Sequence, residues 1–167
     1  MILNYLMFLE QKKYTRMDIK EGKKVDFLSG VALFMNGKIL LVNPRKKQNI
    51  KNGWSIPKGH IEKDMSALQT ALLEVEEEAN IKLDKNKLMR AKKYNVVYKK
   101  PSANKNLILY VYYIDRDELD FPLYNDMILR FYLDKKEIAE AGFFSIEEAK
   151  KLIEPSQLKI IQTLLDS

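Results

Sequence analysis

The sequence predicts an α/β protein in which a mixed sheet carries helices on its faces. Its 167 residues suit a single domain, because most domains contain about 100–200 residues. Hydrophobic residues make up 46% of the chain and charged residues 31%, which is typical of a folded protein. Short β-rich runs precede a helical pattern, as expected for strands and helices that share one core.

The first two strands are predicted on either side of a two-residue turn. Phe27–Met35 and Lys38–Val42 are short β-rich runs, and Asn36-Gly37 between them is the strongest short signal for a hairpin. The first strand pairing is therefore antiparallel. Gly53–His60 contains the glycines and the proline that exclude a helix there. From about Ser66 to Ala79 the pattern becomes helical.

Two further strands and one ambiguous segment follow this helix. Tyr94–Tyr98 and Leu107–Ile114 are rich in aromatic and β-branched residues, and residues 101–104 connect them. Asp115–Asp134 mixes polar and aromatic residues, so it forms either a short strand or a long functional loop. Gly142-Phe143-Phe144 predicts the final strand.

The end of the chain predicts two helices. Ser145 followed by Glu148 is typical of a capping box at a helix start. Pro155 breaks that helix, since proline lacks an amide hydrogen and clashes with the preceding turn. Gln157–Leu165 resumes a helical pattern, with apolar residues three to four positions apart.

Composition excludes several classes of chemistry. The chain has no cysteine, which rules out disulfides, thiolate zinc sites and cysteine nucleophiles, and a reducing cytoplasm fits. The apolar segment Met1–Glu10 lacks a basic start and a cleavage site and is too short to cross a bilayer. We therefore expect no membrane association, and we expect residues 1–25 to form an extension packed on a single domain that spans residues 1–167.

The net charge of +6 and the pI near 9.3 favour anionic partners. Nucleotides, RNA ends and polyphosphorylated small molecules all fit this charge. The lysines are spread through loops and helix faces, so a solvated basic surface explains the charge equally well.

The helix near residue 75 carries a group of carboxylates. Glu74, Glu77 and Glu78 fall together beside an apolar stripe, and spacings of three and four bring them within one turn. Like charges at that spacing repel, so a cation should compensate them. Carboxylate oxygens are the ligands that magnesium selects. Glu76 points elsewhere. The apolar stripe contains Leu68, Ala71, Leu72, Val75 and Ala79.

For a helix taken alone, an acidic run is more often a solvated face than a metal site. The upstream sequence changes that balance. Pro57-Lys58-Gly59-His60 offers a tight turn, a cation and exposed backbone amides beside the acidic helix. A complex of phosphate and metal requires this combination.

The segment Gly59–Ile81 resembles the Nudix box, in which a glycine precedes a helix with glutamates at fixed spacing. Gly59, Glu74, Val75, Glu77, Glu78 and Ile81 match. Three positions depart, because Met65 replaces a glutamate, Leu73 an arginine and Asn80 a glycine. A Met65–Leu73 contact could replace the usual ionic tie. Asn80 is the mildest change, since Asn tolerates the left-handed conformation after a helix end.

The resemblance implies a Nudix fold, an α/β/α sandwich, and hydrolysis of a phosphoanhydride. It implies that Glu74, Glu77 and Glu78 bind Mg²⁺ or Mn²⁺, with the Gly59 carbonyl as a further ligand. Lys58 would contact phosphate, and His60 either assists binding or is structural. Glu77 and Glu78 act in catalysis through the metal. A carboxylate before the last strand often serves as base or extra ligand, and Glu137 takes that place, with Glu140 as second choice.

The substrate is predicted less sharply than the chemistry. Trp54–Glu62 is similar to the run that precedes the box in diadenosine tetraphosphate hydrolases, so a dinucleoside polyphosphate leads. An RNA 5′ end is the main rival, and diphosphoinositol polyphosphates and ADP-ribose also fit. A domain that binds a nucleotide or RNA without cleaving it is the alternative outside enzymes. A base could stack on an aromatic side chain, although such residues in strands are more often core; the candidates are Tyr98, Tyr110, Tyr112, Tyr132 and Phe143.

Overall fold

The computed structural model describes residues 24–167. The extension predicted for residues 1–25 therefore lies almost wholly outside the described residues. Within 24–167, no helix is long and apolar enough to cross a bilayer.

A mixed sheet forms the centre of the described chain. Its strand order is β4-β5-β1-β2-β8-β7-β6, and β3 pairs with the start of β1. The β1–β5 pairing is parallel, whereas the other strand pairs are antiparallel. The strands are β1 Val25–Met35, β2 Lys38–Pro44, β3 Lys58–His60, β4 Lys93–Lys99, β5 Asn104–Tyr113, β6 Leu123–Tyr124, β7 Met127–Ile128 and β8 Ile138–Phe144.

Helices cover both faces of this sheet. One face packs on α1 and α2 through buried residues that include Val75 and Leu88. The other face packs on α3 and α4 through residues that include Ala149 and Ile160. This arrangement confirms the predicted α/β/α sandwich. The helices are α1 Ala67–Ala79, α2 Lys85–Met89, α3 Ile146–Leu152 and α4 Leu158–Leu165.

The predicted hairpin and its turn are confirmed. Met35 pairs with Lys38, and both residues of the Asn36-Gly37 turn have positive φ angles, of 52° and 75°. This geometry is that of a type I′ turn, whose twist matches that of the flanking strands.

Helix α1 begins and ends as the sequence predicts. The Ser66 hydroxyl accepts a hydrogen bond from Gln69 N, and the Gln69 side chain accepts one from Ser66 N, which completes a capping box. Asn80 ends the helix at φ 57° and ψ 31° in the left-handed region, so it fills the role of the usual glycine. On the predicted stripe Ala71, Val75 and Ala79 are buried, and Leu68 and Leu72 are partly buried against the same core.

Several elements differ from the sequence-based expectation. The ambiguous segment Asp115–Asp134 contains the short β6–β7 hairpin between turns of 3₁₀ helix. Strand β3 and helix α2 were not predicted, and β5 begins three residues earlier than expected, at Asn104. At Ser145 only half of the capping box forms in the described structure, because the Ser145 hydroxyl donates to the Glu148 carboxylate.

We predict that Gly30→Ala destabilises the fold by about 1–3 kcal/mol, because the added methyl group overpacks a tight contact. A Cβ atom at Gly30 would lie 2.6 Å from both Lys58 Cβ and the Pro57 carbonyl oxygen. The midpoint of chemical denaturation measures this loss. Gly37→Asn is the matched control, since nothing lies within 4 Å of a Cβ atom there and Asn tolerates the positive φ. Equal stability of the two variants would contradict the close approach.

Candidate active site

Strand β3 brings the Pro57-Lys58-Gly59 backbone against the start of β1. Gly30 pairs with Lys58 and Ser29 with Gly59, and Val31 N donates a hydrogen bond of 3.1 Å to the Pro57 carbonyl. The absence of a side chain at Gly30 permits this approach. The predicted phosphate turn is therefore part of the sheet.

A hydrogen bond also fixes helix α1 to strand β1. The buried Ser29 hydroxyl donates a hydrogen bond of 2.6 Å to the Ala67 carbonyl in the first turn of α1. The helix thereby presents Glu74 and Glu78 to β3. The backbone amide of Lys58 donates to the Glu78 carboxylate at 3.1 Å.

Gly59 lies directly against Glu74. A Cβ atom at Gly59 would stand only 2.1 Å from Glu74 Oε1, so no larger residue fits here without moving the carboxylate. The structure thus brings Gly59, Glu74 and Glu78 together, as the spacing predicts.

The surroundings of the Glu74 and Glu78 carboxyl groups disfavour their charged forms. Burial raises the pKa of Glu78 far above its usual range, and the neighbouring Glu74 carboxylate raises it further. Burial also raises the pKa of Glu74, and the charges of Glu77 and Glu137 add to that effect. The raised pKa values favour a protonated form of this pair.

The remaining predicted carboxylates lie around this pair. Glu77 and Glu137 are exposed side chains that line the same cleft as Glu74 and Glu78. The Glu137 backbone carbonyl accepts a hydrogen bond of 2.7 Å from Arg45 N, which ties its loop to the end of β2. Glu140 is an exposed residue within β8 and, unlike Glu137, does not line the cleft.

His60 lies at the mouth of the cleft and contacts Asp26. Its Nε2 atom is 3.4 Å from Asp26 Oδ2, and its side chain is 58% exposed. Asp26 is buried, and Lys105 also forms an ion pair with it. Burial opposes ionisation of Asp26, but hydrogen bonds from Lys105 and His60 bring its pKa below the ordinary value. His60 therefore contacts Asp26 and also lines the cleft.

Lysines form a large part of the lining of the cleft, which we call the lysine wall. The cleft has a volume of about 840 Å³, and most of its basic residues were not predicted from the sequence. The pKa of Lys58 is lowered to about 8, mainly by burial; the charge of Glu78 opposes this effect, and the charges of Lys100 and Lys105 add to it. The lysines that line the cleft are Lys46, Lys47, Lys58, Lys100, Lys105 and Lys136.

One signal in the sequence could have located part of this wall. Side chains alternate along a strand, so Tyr98 and Lys100 share a face at the end of β4. Tyr98 lies opposite Lys105 on β5, and both line the cleft. The Tyr98 ring is buried, and its hydroxyl has no hydrogen-bond partner among residues 24–167. Lys100 forms an ion pair with Glu154 at 2.9 Å.

The aromatic candidates belong mainly to the core, as the strand interpretation expects. Tyr98, Tyr110, Tyr112 and Phe143 are buried, which leaves no ring face for a base. Tyr132 is half-buried, stacks on Phe121 with ring centres 4.8 Å apart, and lines a smaller cavity with Glu77 and Glu137.

Met65 and Leu73 both line the cleft, and Leu73 is 39% exposed. Their positions are compatible with the predicted apolar tie between loop and helix. The contact itself stays a prediction.

The donor atoms at this site fit a hard divalent cation. Glu74 and Glu78 offer half-buried carboxylate oxygens whose pKa values are raised, and a cation in that position favours their charged forms. Within 24–167 no three acidic or histidine side chains are already grouped closely enough to hold a metal ion. A complete ligand set therefore requires Glu77 or Glu137 to turn toward the inner pair.

A family model described as NUDIX domain matches residues 28–164. The chain belongs to this family. The match covers the sheet, α1 with its carboxylates and the C-terminal helices, and it confirms the resemblance seen around Gly59–Ile81. The Nudix chain is a hydrolase that acts on phosphoanhydrides. No curated protein matches it.

Solved structures similar to this Nudix hydrolase share its fold at low sequence identity. An Ap4A hydrolase binary complex from C. elegans is 15% identical, with a TM-score of 0.59 over 84% of this chain and 95% of that one. A MutT Nudix hydrolase from Burkholderia pseudomallei is 17% identical, with a TM-score of 0.60 over 84% and 98%.

A larger protein contains the same fold. The bifunctional NMN adenylyltransferase/ADP ribose pyrophosphatase from Francisella tularensis, complexed with AMP and Mn ion, is 22% identical, with a TM-score of 0.60. The alignment covers 98% of this chain and 46% of that one.

We predict that Glu78→Gln leaves the thermal midpoint of the metal-free protein unchanged or higher, because it removes a buried carboxyl group that repels Glu74. The same variant loses the rise in midpoint that Mg²⁺ or Mn²⁺ gives the wild type. A ligand at about a hundred times its Kd adds about 2.7 kcal/mol, which a thermal shift assay detects. Glu76→Gln is the matched control on the same helix, since Glu76 is exposed and does not line the cleft. An unchanged metal response in Glu78→Gln would contradict the proposed ligand.

Proposed function

We propose that this Nudix hydrolase is a metal-dependent pyrophosphohydrolase that cleaves a phosphoanhydride bond in a nucleoside polyphosphate. A dinucleoside polyphosphate is the leading substrate. The observation that carries the proposal is that one cleft brings together carboxylates, among them Glu74 and Glu78, and lysines, among them Lys58, Lys100 and Lys105.

This combination selects a ligand that carries several phosphates and a cation. Carboxylates alone repel a phosphate, so Glu74 and Glu78 can face one only through a divalent cation. The lysines can contact further phosphates directly, because each ammonium group is a compact charge. A cleft of about 840 Å³ is far larger than a single phosphate, and it can hold a chain of phosphates.

We assign the metal to Glu74, Glu77, Glu78 and the Gly59 carbonyl. Mg²⁺, or Mn²⁺ in its place, supplies the positive charge that neutralises the phosphates and the leaving group. Lys58 contacts a phosphate oxygen from β3. His60, at the cleft mouth, is available to a second phosphate while Asp26 orients its ring.

Glu137 takes the role of general base. A water oxygen forms a bond to phosphorus, the bond from that phosphorus to the bridging oxygen breaks, and the Glu137 carboxylate accepts the proton of the water. Its exposed side chain lines the same cleft as Glu74 and Glu77, which supports this role. The released phosphate chain keeps the bridging oxygen and both electrons of the broken bond.

A stacking surface for the nucleoside part of the substrate lies near Glu77 and Glu137. The Phe131 ring is 66% exposed, and its centre lies 4.1 Å from that of Tyr132, which lines the cavity next to Glu77 and Glu137. A base stacked on Phe131 would hold its phosphates toward the carboxylates. The fold shared with the C. elegans Ap4A hydrolase supports a nucleotide substrate.

An RNA 5′ end is the second candidate substrate. It presents the same phosphate chain attached to one nucleoside, and the net charge of +6 favours a polyanion. The two candidates differ in what the protein has to hold besides the phosphate chain. In a dinucleoside polyphosphate this is a second nucleoside, and at an RNA 5′ end it is the rest of the strand.

We predict that wild-type protein with Mg²⁺ hydrolyses diadenosine tetraphosphate faster than triphosphorylated or capped RNA. Glu77→Gln lowers kcat/KM by about two orders of magnitude or more, because it weakens the charge stabilisation of the transition state. Phosphate or nucleotide release, followed by chromatography, measures each rate. Glu147→Gln is the control, since Glu147 is an exposed glutamate on α3 that lines neither the cleft nor the smaller cavity.

Each outcome of that panel has a separate meaning. A strong preference for RNA ends would replace the dinucleoside polyphosphate as substrate. Tight binding without turnover, unaffected by Glu77→Gln, would show that the chain is a binding module and would overturn the catalytic proposal.

We predict that Phe131→Ala raises KM about three- to tenfold with little change in kcat, since stacking contributes to binding more than to chemistry. Phe131→Tyr should retain the wild-type KM. Steady-state kinetics on a nucleoside polyphosphate measure both constants. Tyr124→Ala removes another highly exposed aromatic ring, outside the cleft, and serves as control. A reduced kcat at unchanged KM in Phe131→Ala would argue against a stacking role.

A further inference from the structure

A second cavity lies at the other end of strand β1 and shares no lining residue with the catalytic cleft. It has a volume of about 490 Å³, within the range of ligand sites. Phe34 lines it, four residues beyond Gly30, which corresponds to about 13 Å along a strand. We call it the tyrosine cavity and define it by Phe34, Lys87, Arg90, Lys92, Tyr94 and Tyr113.

An aromatic platform forms one side of the tyrosine cavity. The rings of Phe34 and Tyr113 are stacked, with centres 5.5 Å apart and planes 23° apart. Tyr113 is 67% exposed, although it ends a strand whose previous four residues are buried. The neighbouring ring holds Tyr113 in place, so its exposed surface is available for stacking without first being ordered.

Three cations surround this platform. Lys87, Arg90 and Lys92 line the cavity, and among residues 24–167 none of them forms an ion pair with an acidic side chain. Lys87 Nζ donates to the Tyr113 carbonyl at 2.5 Å and lies 4.3 Å from the centre of the Tyr112 ring. The Lys92 ammonium lies 5.1 Å from the centre of the Tyr94 ring. No acidic side chain of the described chain lines the cavity.

We propose that the tyrosine cavity binds single-stranded nucleic acid. A base stacks on Tyr113, and backbone phosphates lie against Lys87, Arg90 and Lys92. The combination of an exposed ring with cations that lack acidic partners is how proteins hold single strands without reading sequence. An acidic peptide would use the cations but would leave the stacked platform without a planar partner. The proposal goes beyond the hydrolytic function and does not depend on it.

The test is fluorescence anisotropy with a short fluorescein-labelled oligouridylate and full-length protein in EDTA, where metal-dependent hydrolysis is absent. Tyr113→Ala is expected to weaken binding about tenfold, since one stacked base contributes about 1–3 kcal/mol. Tyr113→Phe keeps the ring and should restore binding. Tyr124→Ala is the matched control, because Tyr124 is similarly exposed but lies outside the cavity.

Charge reversal tests the role of the cations separately. Arg90→Glu with Lys92→Glu should weaken binding and flatten its dependence on salt, by about 0.7 in the logarithmic slope for each phosphate that the protein no longer neutralises. Lys151→Glu places the same change on the exposed face of α3 as control. Circular dichroism and thermal midpoints establish that each variant is folded.

Three results would overturn the proposal. Binding that survives Tyr113→Ala and is abolished in Lys100→Ala would assign the strand to the catalytic cleft. Displacement of the oligonucleotide by polyglutamate as effectively as by unlabelled oligouridylate would show a site for any polyanion. If the folded wild type did not bind the oligonucleotide, the site would be excluded. That result would say nothing against the hydrolysis of small substrates.

Discussion

The structure depends on the close approach of the Lys58–Gly59 backbone to strand β1 and to helix α1. Gly30 leaves room for it on the sheet side, and Glu78 receives the Lys58 amide on the helix side. Because both contacts use the backbone of β3, main-chain packing sets the position of Lys58 relative to the carboxylates of α1. This explains how apolar Met65 and Leu73 can occupy two box positions without separating the loop from the helix.

The same contact requires an acidic pair in a place where carboxyl groups are unfavourable. Burial and neighbouring carboxylates raise the pKa values of Glu74 and Glu78, so the helix carries this electrostatic cost at its functional face. The adjoining apolar face compensates through the burial of Ala71, Val75 and Ala79 against the sheet, together with the capping box at the start of the helix. Stability and the site are thus divided between two adjoining faces of one helix.

The sequence predicts best those features whose cause lies within a few residues. The Asn36-Gly37 turn and the left-handed Asn80 follow from local backbone preferences, and both are confirmed. The spacing of Glu74 and Glu78 also suffices to bring them together. The lysine wall could not be predicted in this way, because Lys100 and Lys105 reach the cleft only through strand pairing across the sheet. Strand β3 could not be predicted because it is three residues long and is defined by the strand it meets, not by its own composition.

The parallel strands β1 and β5 run from the catalytic cleft to the tyrosine cavity. Asp26 pairs with Lys105 at the cleft end of these strands, and Phe34 pairs with Tyr113 at the other end. Eight residues separate the two pairs, which corresponds to about 26 Å along a rigid pair of strands. A mononucleotide is too short to contact both ends, so any single ligand that does so has to be chain-like. The architecture therefore allows small phosphorylated substrates to use the cleft alone, while a nucleic acid strand can also use the tyrosine cavity.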